Sequence, residues 1–274
     1  MNLSPGSITR HDLVVVHRSQ WSGQTIEVVD DGPLRILHFG TYLKQSCILR
    51  ANPQRLVLPY TRHMLAVLAF NPQPRRVLMV GLGGGTMARF LLDHCPACQI
   101  DVVDIVPDMP GIARRFFGLP LSSRLRLHVD DGARFLTDLA TRNAPPRFDL
   151  LLIDAYNALG MAESVYVDAF FRHCHTLLTT DGVMAINLSR SKTEVFSLAM
   201  TAIDHLFADS TRQFRPAGSN NVILYAARQP EPLRLNHSRP GIATRKSQAE
   251  LALSDLMDPA HRQHHPWWKY ILEF

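Results

Sequence analysis

The sequence predicts an α/β fold: a mostly parallel sheet covered by helices on both faces, ending in an antiparallel hairpin and preceded by a small β lobe. Three observations predict it. From Val77 onward, apolar runs alternate with amphipathic stretches, which is the pattern of parallel strands joined by helical crossovers. The first of these runs breaks into the glycines Gly81, Gly83, Gly84 and Gly85. Near the end, two β-like runs flank Ala217-Gly218-Ser219-Asn220 with no helix between them.

Composition sets the outer bounds. The chain has 274 residues, of which 46% are hydrophobic, enough to bury a full core and to form one main domain with a smaller one. Its net charge is +5 and its pI near 9.2, but the Arg and Lys residues are scattered and form no long basic run, so nucleic acid is not an expected partner. No apolar segment approaches the length of a bilayer, and the first twenty residues lack the order of a signal peptide. A cytoplasmic protein with no membrane partner is expected. Cys47, Cys95, Cys98 and Cys174 are too few and too dispersed for a disulfide framework.

Residues 1–70 have their own texture. Leu13 to Val16, Thr25 to Val29 and Leu34 to Phe39 are short β-like runs, and Asp30-Asp31-Gly32-Pro33 is turn chemistry. They predict a small antiparallel lobe. Tyr60 to Phe70 has helical composition and ends at Asn71-Pro72-Gln73-Pro74, which sets the boundary of a main unit over 71–228, with a tail over 229–274. The strands expected in that unit are Val77–Val80, Ile100–Ile105, Leu125–Val129, Leu150–Asp154 and Val183–Leu188. Helices are expected over Thr86–His94, Asp108–Phe117, Ala133–Arg142, Ser164–Leu178 and Glu194–Phe207. Gln213–Arg215 and Val222–Ala226 then supply an antiparallel hairpin, the ending of a methyltransferase-type Rossmann-like sheet. The tail contains one helix-like piece near Gln248 to Met257 and the aromatic end Trp267, Trp268, Tyr270 and Phe274.

The glycines suggest a cofactor site. Lacking Cβ, they let the turn take positive φ and let a ligand approach the backbone and the N–H groups that open the next helix. The plainer reading is a tight strand-to-helix turn with nothing bound. In an open parallel sheet the ligand lies beyond the carboxyl ends of the strands, and three of those ends carry acids. Asp104 closes the second strand about twenty residues after the glycines, where a carboxylate accepts ribose hydroxyls. Asp130-Asp131-Gly132 closes the third, where a side chain meets the exocyclic amine of an adenine, and Asp154 closes the fourth. Each alone reads more readily as a helix N-cap or a loop carboxylate. Together with the glycines they point to one nucleoside site.

The run from Val77 to Leu188 resembles the spermidine synthase family of polyamine aminopropyltransferases. The matching pieces are Val-Gly-Leu-Gly-Gly-Gly-Thr (80–86), Val-Asp-Ile-Val-Pro (103–107), Ala-Arg-Arg-Phe-Phe-Gly-Leu-Pro (113–120), Val-Asp-Asp-Gly-Ala-Arg-Phe-Leu (129–136), Phe-Asp-Leu-Leu-Leu-Ile-Asp-Ala-Tyr (148–156) and Gly-Val-Met-Ala-Ile-Asn-Leu (182–188). With the β lobe in front, the likeness covers about residues 10 to 228. It implies decarboxylated S-adenosylmethionine as co-substrate, a small-molecule amine acceptor, a homodimer and no metal. It also implies Asp154 as the base that takes or orients the acceptor's proton. Gly81, Gly83, Gly85, Asp104, Ile105, Asp131, Gly132 and Gln45 would bind the cofactor, and Tyr60, Tyr156 and Asn157 the acceptor.

The sequence also departs from that family. Its glycine loop carries an aspartate for the aminopropyl ammonium where this chain has Gly84. A second acid three residues beyond the base is Asn157 here, and the family's Tyr-His-Glu reads Tyr60-Thr61-Arg62. The family's C-terminal portion is not recognisable after Arg228. Burying an ammonium without a partner costs several kcal/mol, so two alternatives stand beside the first. One is a methyltransferase using intact S-adenosylmethionine on a small molecule; the other is a nucleoside-binding protein without turnover. Cys95-Pro-Ala-Cys98 reads as a structural loop on the side away from the ligand edge. His173-Cys174-His175 spreads over different helix faces, so joint metal ligation is not expected.

Overall fold

A computed structural model describes residues 13–233 except 42, 158, 159, 162, 209, 217–219, 231 and 232, and of residues 157, 160, 161 and 163 it describes no side chain. The helix expected near Gln248 to Met257, the aromatic end and most of the hairpin loop at 217–220 lie outside the described residues.

The front lobe is a four-stranded antiparallel sheet in the order β1 (Val14–Trp21), β2 (Gln24–Asp31), β3 (Leu34–Phe39), β4 (Lys44–Leu49). Gly32 turns the chain between β2 and β3 at φ 55°, as the Asp-Gly-Pro chemistry predicts. β4 is an addition to the expected strands. It opens on Lys44-Gln45-Ser46 and has no apolar alternation, so it is recruited by pairing with β3 (Ile36 opposite Cys47) rather than by propensity.

The expected helix over 60–70 forms in two pieces, α1 (Pro59–Leu65) and a 3-10 turn over Ala66–Ala69. Pro59 starts it at a position where a missing N–H costs nothing. The tighter turn ends it just ahead of Pro72, with Phe70 N–H donating to the Val67 carbonyl at 3.0 Å.

The main unit follows as β5 (Arg76–Val80), α2 (Thr86–His94), β6 (Gln99–Asp104), α3 (Met109–Phe117), β7 (Leu125–Val129), α4 (Gly132–Ala140) and β8 (Phe148–Ile153). Then come a two-residue pair, β9 (Tyr156–Asn157) with β10 (Gly160–Met161), and α5 (Asp168–Leu177), β11 (Leu178–Ser189), α6 (Thr193–Phe207), β12 (Thr211–Phe214) and β13 (Asn221–Ala227). Seven strands form one sheet in the order β12-β13-β11-β8-β5-β6-β7. β5, β6, β7, β8 and β11 run parallel, and β13 pairs antiparallel with both β11 and β12. This is the sheet the sequence predicts, hairpin included.

Two boundaries of the main unit differ from expectation by four residues or more. α5 starts at Asp168, not Ser164, because Val167 is extended and Glu163–Val165 makes a 3-10 turn of its own. β11 starts at Leu178, with a break in its register on β8 between Leu178 and Val183. Gly182 lies in that break, where a Cβ would sit 2.9 Å from the Phe148 carbonyl oxygen.

Alternation along β5 sends its side chains to two cores. Val77 and Met79 face one cluster; Leu78 and Val80 face the other, under α4, α5 and α6. The first cluster also holds Ile26, Val28, Leu37 and Ile48 of the front lobe, all buried. Fully burying one such aliphatic side chain contributes about 1.5–3 kcal/mol, so the front lobe is fastened to the sheet by packing and not merely tethered. The Tyr225 hydroxyl of β13 also donates to the His63 carbonyl of α1. Chain direction across the sheet reverses at β5, with β6 on one side and β8 on the other. Parallel sheets leave a crevice at that point.

Candidate active site

The crevice is a cavity of about 750 Å³ at the carboxyl ends of β5, β6, β8 and β11, closed on its outer side by β4 and α1. Its floor is the glycine turn. Gly81 has φ 95°, and a Cβ on it would lie 2.2 Å from the Asp154 carbonyl oxygen, so only glycine lets β5 and β8 end this close together. Gly83, at φ 51°, faces the cavity beneath the Gln45 carbonyl. Gly85 is placed differently. It is the left-handed N-cap of α2, packed on Leu119, and does not line the cavity. At Gly84 a Cβ would stand 2.6 Å from Ser46 Oγ and 2.9 Å from the Phe117 ring. A side chain at the position that carries an acid in the resembled family would require Ser46 and the Phe117 ring to shift.

Asp104 lies beside that floor. Its Oδ2 accepts from Leu82 N–H at 2.7 Å and its Oδ1 from Val106 N–H at 2.9 Å. Burial raises its pKa, opposed by hydrogen bonds from the backbone of Leu82, Val106 and Gly83. The carboxylate's remaining acceptor capacity faces the cavity, where it can take a ligand hydroxyl. Ile105 is 46% exposed and lines the same wall, an apolar face for a flat ring. Asp131 is both a helix cap and a lining residue. It caps α4 by accepting from Arg134 N–H at 2.9 Å, and it lines the cavity, where Ser164 Oγ donates to it at 3.3 Å. Asp130 pairs instead with the Arg134 guanidinium and is not a lining residue. Gly132 lets α4 begin against β5, since a Cβ there would lie 2.4 Å from Val80 Cγ1.

Asp154, one residue past β8, is partly exposed to the cavity. Asn187 Nδ2 donates to its Oδ1 at 2.9 Å, and the Tyr60 hydroxyl hydrogen-bonds to the same carboxylate. Burial raises the carboxyl's pKa, against the opposing pull of those two donors. Tyr60 also lies 3.3 Å from the Gln45 carbonyl oxygen; of the two acceptors the charged one is the stronger. Its own pKa is pushed far up, first by burial and then by Asp154. Tyr156 donates to the Asn187 carbonyl at 3.2 Å and lines the cavity. The structure thus brings Gln45, Tyr60, Asp104, Ile105, Asp131, Gly132, Asp154 and Tyr156 together with Gly81 and Gly83. The side chain of Asn157 lies outside the described residues.

Sequence reasoning passed over Asn187 and Ser164. Asn187 is 3% exposed, orients Asp154 through its amide N–H, and has a buried Oδ1 with no hydrogen-bond partner. A search of strand ends for acids misses it because it is neutral; the same search widened to any polar residue finds it at the end of the fifth parallel strand. The cysteine pair lies at the opposite edge of the sheet, before β6. Burial pushes the Cys95 thiol up to about 11 and the Cys98 thiol up to about 12, so both are protonated and unreactive at neutral pH. Among the described residues no group of three or more His, Cys, Asp or Glu could hold a metal ion, and no helix is long and apolar enough to cross a membrane.

Comparison with known proteins adds four findings. Residues 59–219 match the family model described as the spermine/spermidine synthase domain. The chain is 32% identical over 163 residues to a polyamine aminopropyltransferase of Chromobacterium violaceum, covering 59% of this chain and 60% of that protein. It is 34% identical over 193 residues to the mouse eEF1A lysine and N-terminal methyltransferase, covering 64% of this chain and 27% of that one. Among solved structures, human methyltransferase-like protein 13 in complex with SAH aligns with a TM-score of 0.62 and 26% identity over 79% of this chain and 94% of that one. The chain spans about three-fifths of the length of the curated aminopropyltransferases it matches.

Proposed function

Because the chain belongs to the spermine/spermidine synthase family, we propose that its cavity binds a sulfonium nucleoside and transfers the aminopropyl group of decarboxylated S-adenosylmethionine to a small-molecule amine. The observation that carries this reading is Asp154, held in the cavity beside the glycine turn by donors from Tyr60 and Asn187. In this reading Asp104 accepts the ribose hydroxyls and Asp131 the adenine amine, while Ile105 lies against the ring. Transfer needs an amine with a free lone pair, because an alkylammonium with a pKa near ~10 has none. Asp154 takes or orients that proton; the amine nitrogen bonds to the propyl carbon as the carbon–sulfur bond breaks. The bonding electrons stay on sulfur, which leaves as neutral methylthioadenosine. No general acid is needed. Held in line beside the base, donor and acceptor gain from proximity as well as proton transfer.

A second reading rests on Gly84 and on the methyltransferase relatives. With no acid there, an aminopropyl ammonium lacks its partner, whereas intact S-adenosylmethionine brings its own carboxylate. One assay separates the two: purified protein is offered each cofactor with a panel of amines and the products are read by mass spectrometry. Methylthioadenosine released only with the decarboxylated cofactor supports the first reading. S-adenosylhomocysteine released from the intact cofactor overturns it in favour of methyl transfer.

A further inference from the structure

Aminopropyl transfer to a simple diamine brings three cationic groups to one cavity: a sulfonium, an aminopropyl ammonium and the far ammonium of the acceptor. The acids lining the described part of the cavity are Asp104, Asp131 and Asp154. Asp104 is occupied by backbone N–H groups and Asp131 caps a helix; both lie at the nucleoside end. The remaining charges on the wall are cations. Lys44 enters from the start of β4 and Lys192 from the start of α6, both exposed at the mouth and neither in an ion pair among the described residues.

Lys44 belongs to the segment that crosses the glycine turn, where Gln45 and Ser46 crowd Gly83 and Gly84. Lys192 lies five residues beyond Asn187, across the loop that also brings Ser189 and Ser191 to the wall. Asn187, whose amide N–H donates to Asp154, lines the same wall. One end of this wall suits an amine and the other an acid.

We propose that the site selects a carboxylate-bearing substrate, whose acid group is held by Lys44 or by Lys192 on the cavity wall while its amine or sulfonium end reaches Asp154. This rests on the reading of the cavity as a sulfonium-nucleoside transfer site. The carboxylate belongs either to the donor, as in intact S-adenosylmethionine, or to the acceptor, as in an amino acid, and the two sources are told apart by pairs of compounds differing only in that group.

The donor arm titrates methylthioadenosine, S-adenosylmethionine and its decarboxylated form by calorimetry into wild-type, Lys44→Met and Lys192→Met proteins. The acceptor arm compares ornithine with putrescine by kcat/KM in the same proteins. An exposed ion pair strengthens binding by up to about fivefold and a pair with charged hydrogen bonds by about tenfold or more. The expected result is at least a fivefold preference for the carboxylated member in one arm. That preference should collapse in one of the Met variants and return in Lys192→Arg or Lys44→Arg. Preference among the donors assigns the carboxylate to the cofactor, and preference among the acceptors assigns it to the amine. Equal or better use of the decarboxylated compounds in both arms overturns the proposal, as does a carboxylate preference that survives both Met variants. Methylthioadenosine has neither tail charge and keeps the test separable. If it binds while the lysine variants are silent, only the carboxylate proposal falls. If it fails to bind wild-type protein, the nucleoside reading itself is wrong.

Discussion

Replacing Asp154 by Asn separates chemistry from architecture at this site. The amide has the shape of the carboxylate. Its Oδ1 still accepts from Asn187 Nδ2, at 2.9 Å in the native protein, and its Nδ2 donates to the Tyr60 oxygen. Tyr60 then turns its own proton to the Gln45 carbonyl, already 3.3 Å away. No hydrogen-bonding group is orphaned, so packing is preserved and only the base is lost. A positioned general base contributes about a hundred- to ten-thousand-fold in rate, which is about 2.7–5.4 kcal/mol of barrier. Stability moves the other way. Burial raises the folded-state pKa of Asp154 above its unfolded value; as pH rises through that interval the folded protein retains a proton that the unfolded chain has released. Stability therefore falls across the window and stays lowered above it. Asn removes the penalty, so Asp154→Asn should melt higher at neutral pH by about 2–4 °C for each kcal/mol relieved. The assays are product formation by mass spectrometry, calorimetric binding of methylthioadenosine and a thermal melt. Turnover within threefold of wild type would refute the base assignment; loss of nucleoside binding together with turnover would refute the claim that the residue acts on the acceptor and not on the nucleoside.

Three other outcomes follow from the same geometry. Gly84→Asp should fail to restore the family's charge, because its Cβ would press on Ser46 and the Phe117 ring; we expect a loss of about 1–3 kcal/mol in urea unfolding and no gain in affinity for decarboxylated S-adenosylmethionine. Asp104→Asn removes charge from the group that accepts two backbone N–H bonds and faces the cavity, so methylthioadenosine affinity should fall about tenfold to a hundredfold by calorimetry, in keeping with hydrogen bonds to a charged group. In Tyr60→Phe, Asp154 loses a donor that lowers its pKa. The base then stays protonated to higher pH, and the acid limb of the pH–rate profile should move upward, whereas a purely structural role for Tyr60 would leave that limb in place.

Most of the scaffold was legible in the sequence because parallel strands buried on both faces, such as Val77–Val80 and Leu150–Ile153, leave unbroken apolar runs that few other structures produce. β4 was not, since Lys44-Gln45-Ser46 owes its extended form to β3 and to the glycine turn beneath it. The same holds for the start of α5, where extended Val167 delays a helix that apolar spacing alone places earlier. At the site, carboxylates at strand ends were readable from topology: Asp104, Asp131 and Asp154 all line one cavity. Gly85, expected at the cofactor, begins α2 off the cavity lining, because spacing cannot distinguish a glycine that faces a ligand from one that begins a helix in the left-handed region. Asn187 escaped because its importance comes from a partner in another strand, a relation that one sequence does not display.

The cavity has one wall from each sheet. Trp21, Gln24 and Gln45 come from the front lobe, and Gly81, Asp104 and Asp154 from the main sheet. Whatever occupies that seam is a strut between two layers that otherwise meet through side-chain packing. Occupancy at a hundred times the dissociation constant would add about 2.7 kcal/mol, and both layers would share it. Amide exchange in β4 and in β8 should therefore slow in concert when the cavity fills, although the two strands belong to different sheets.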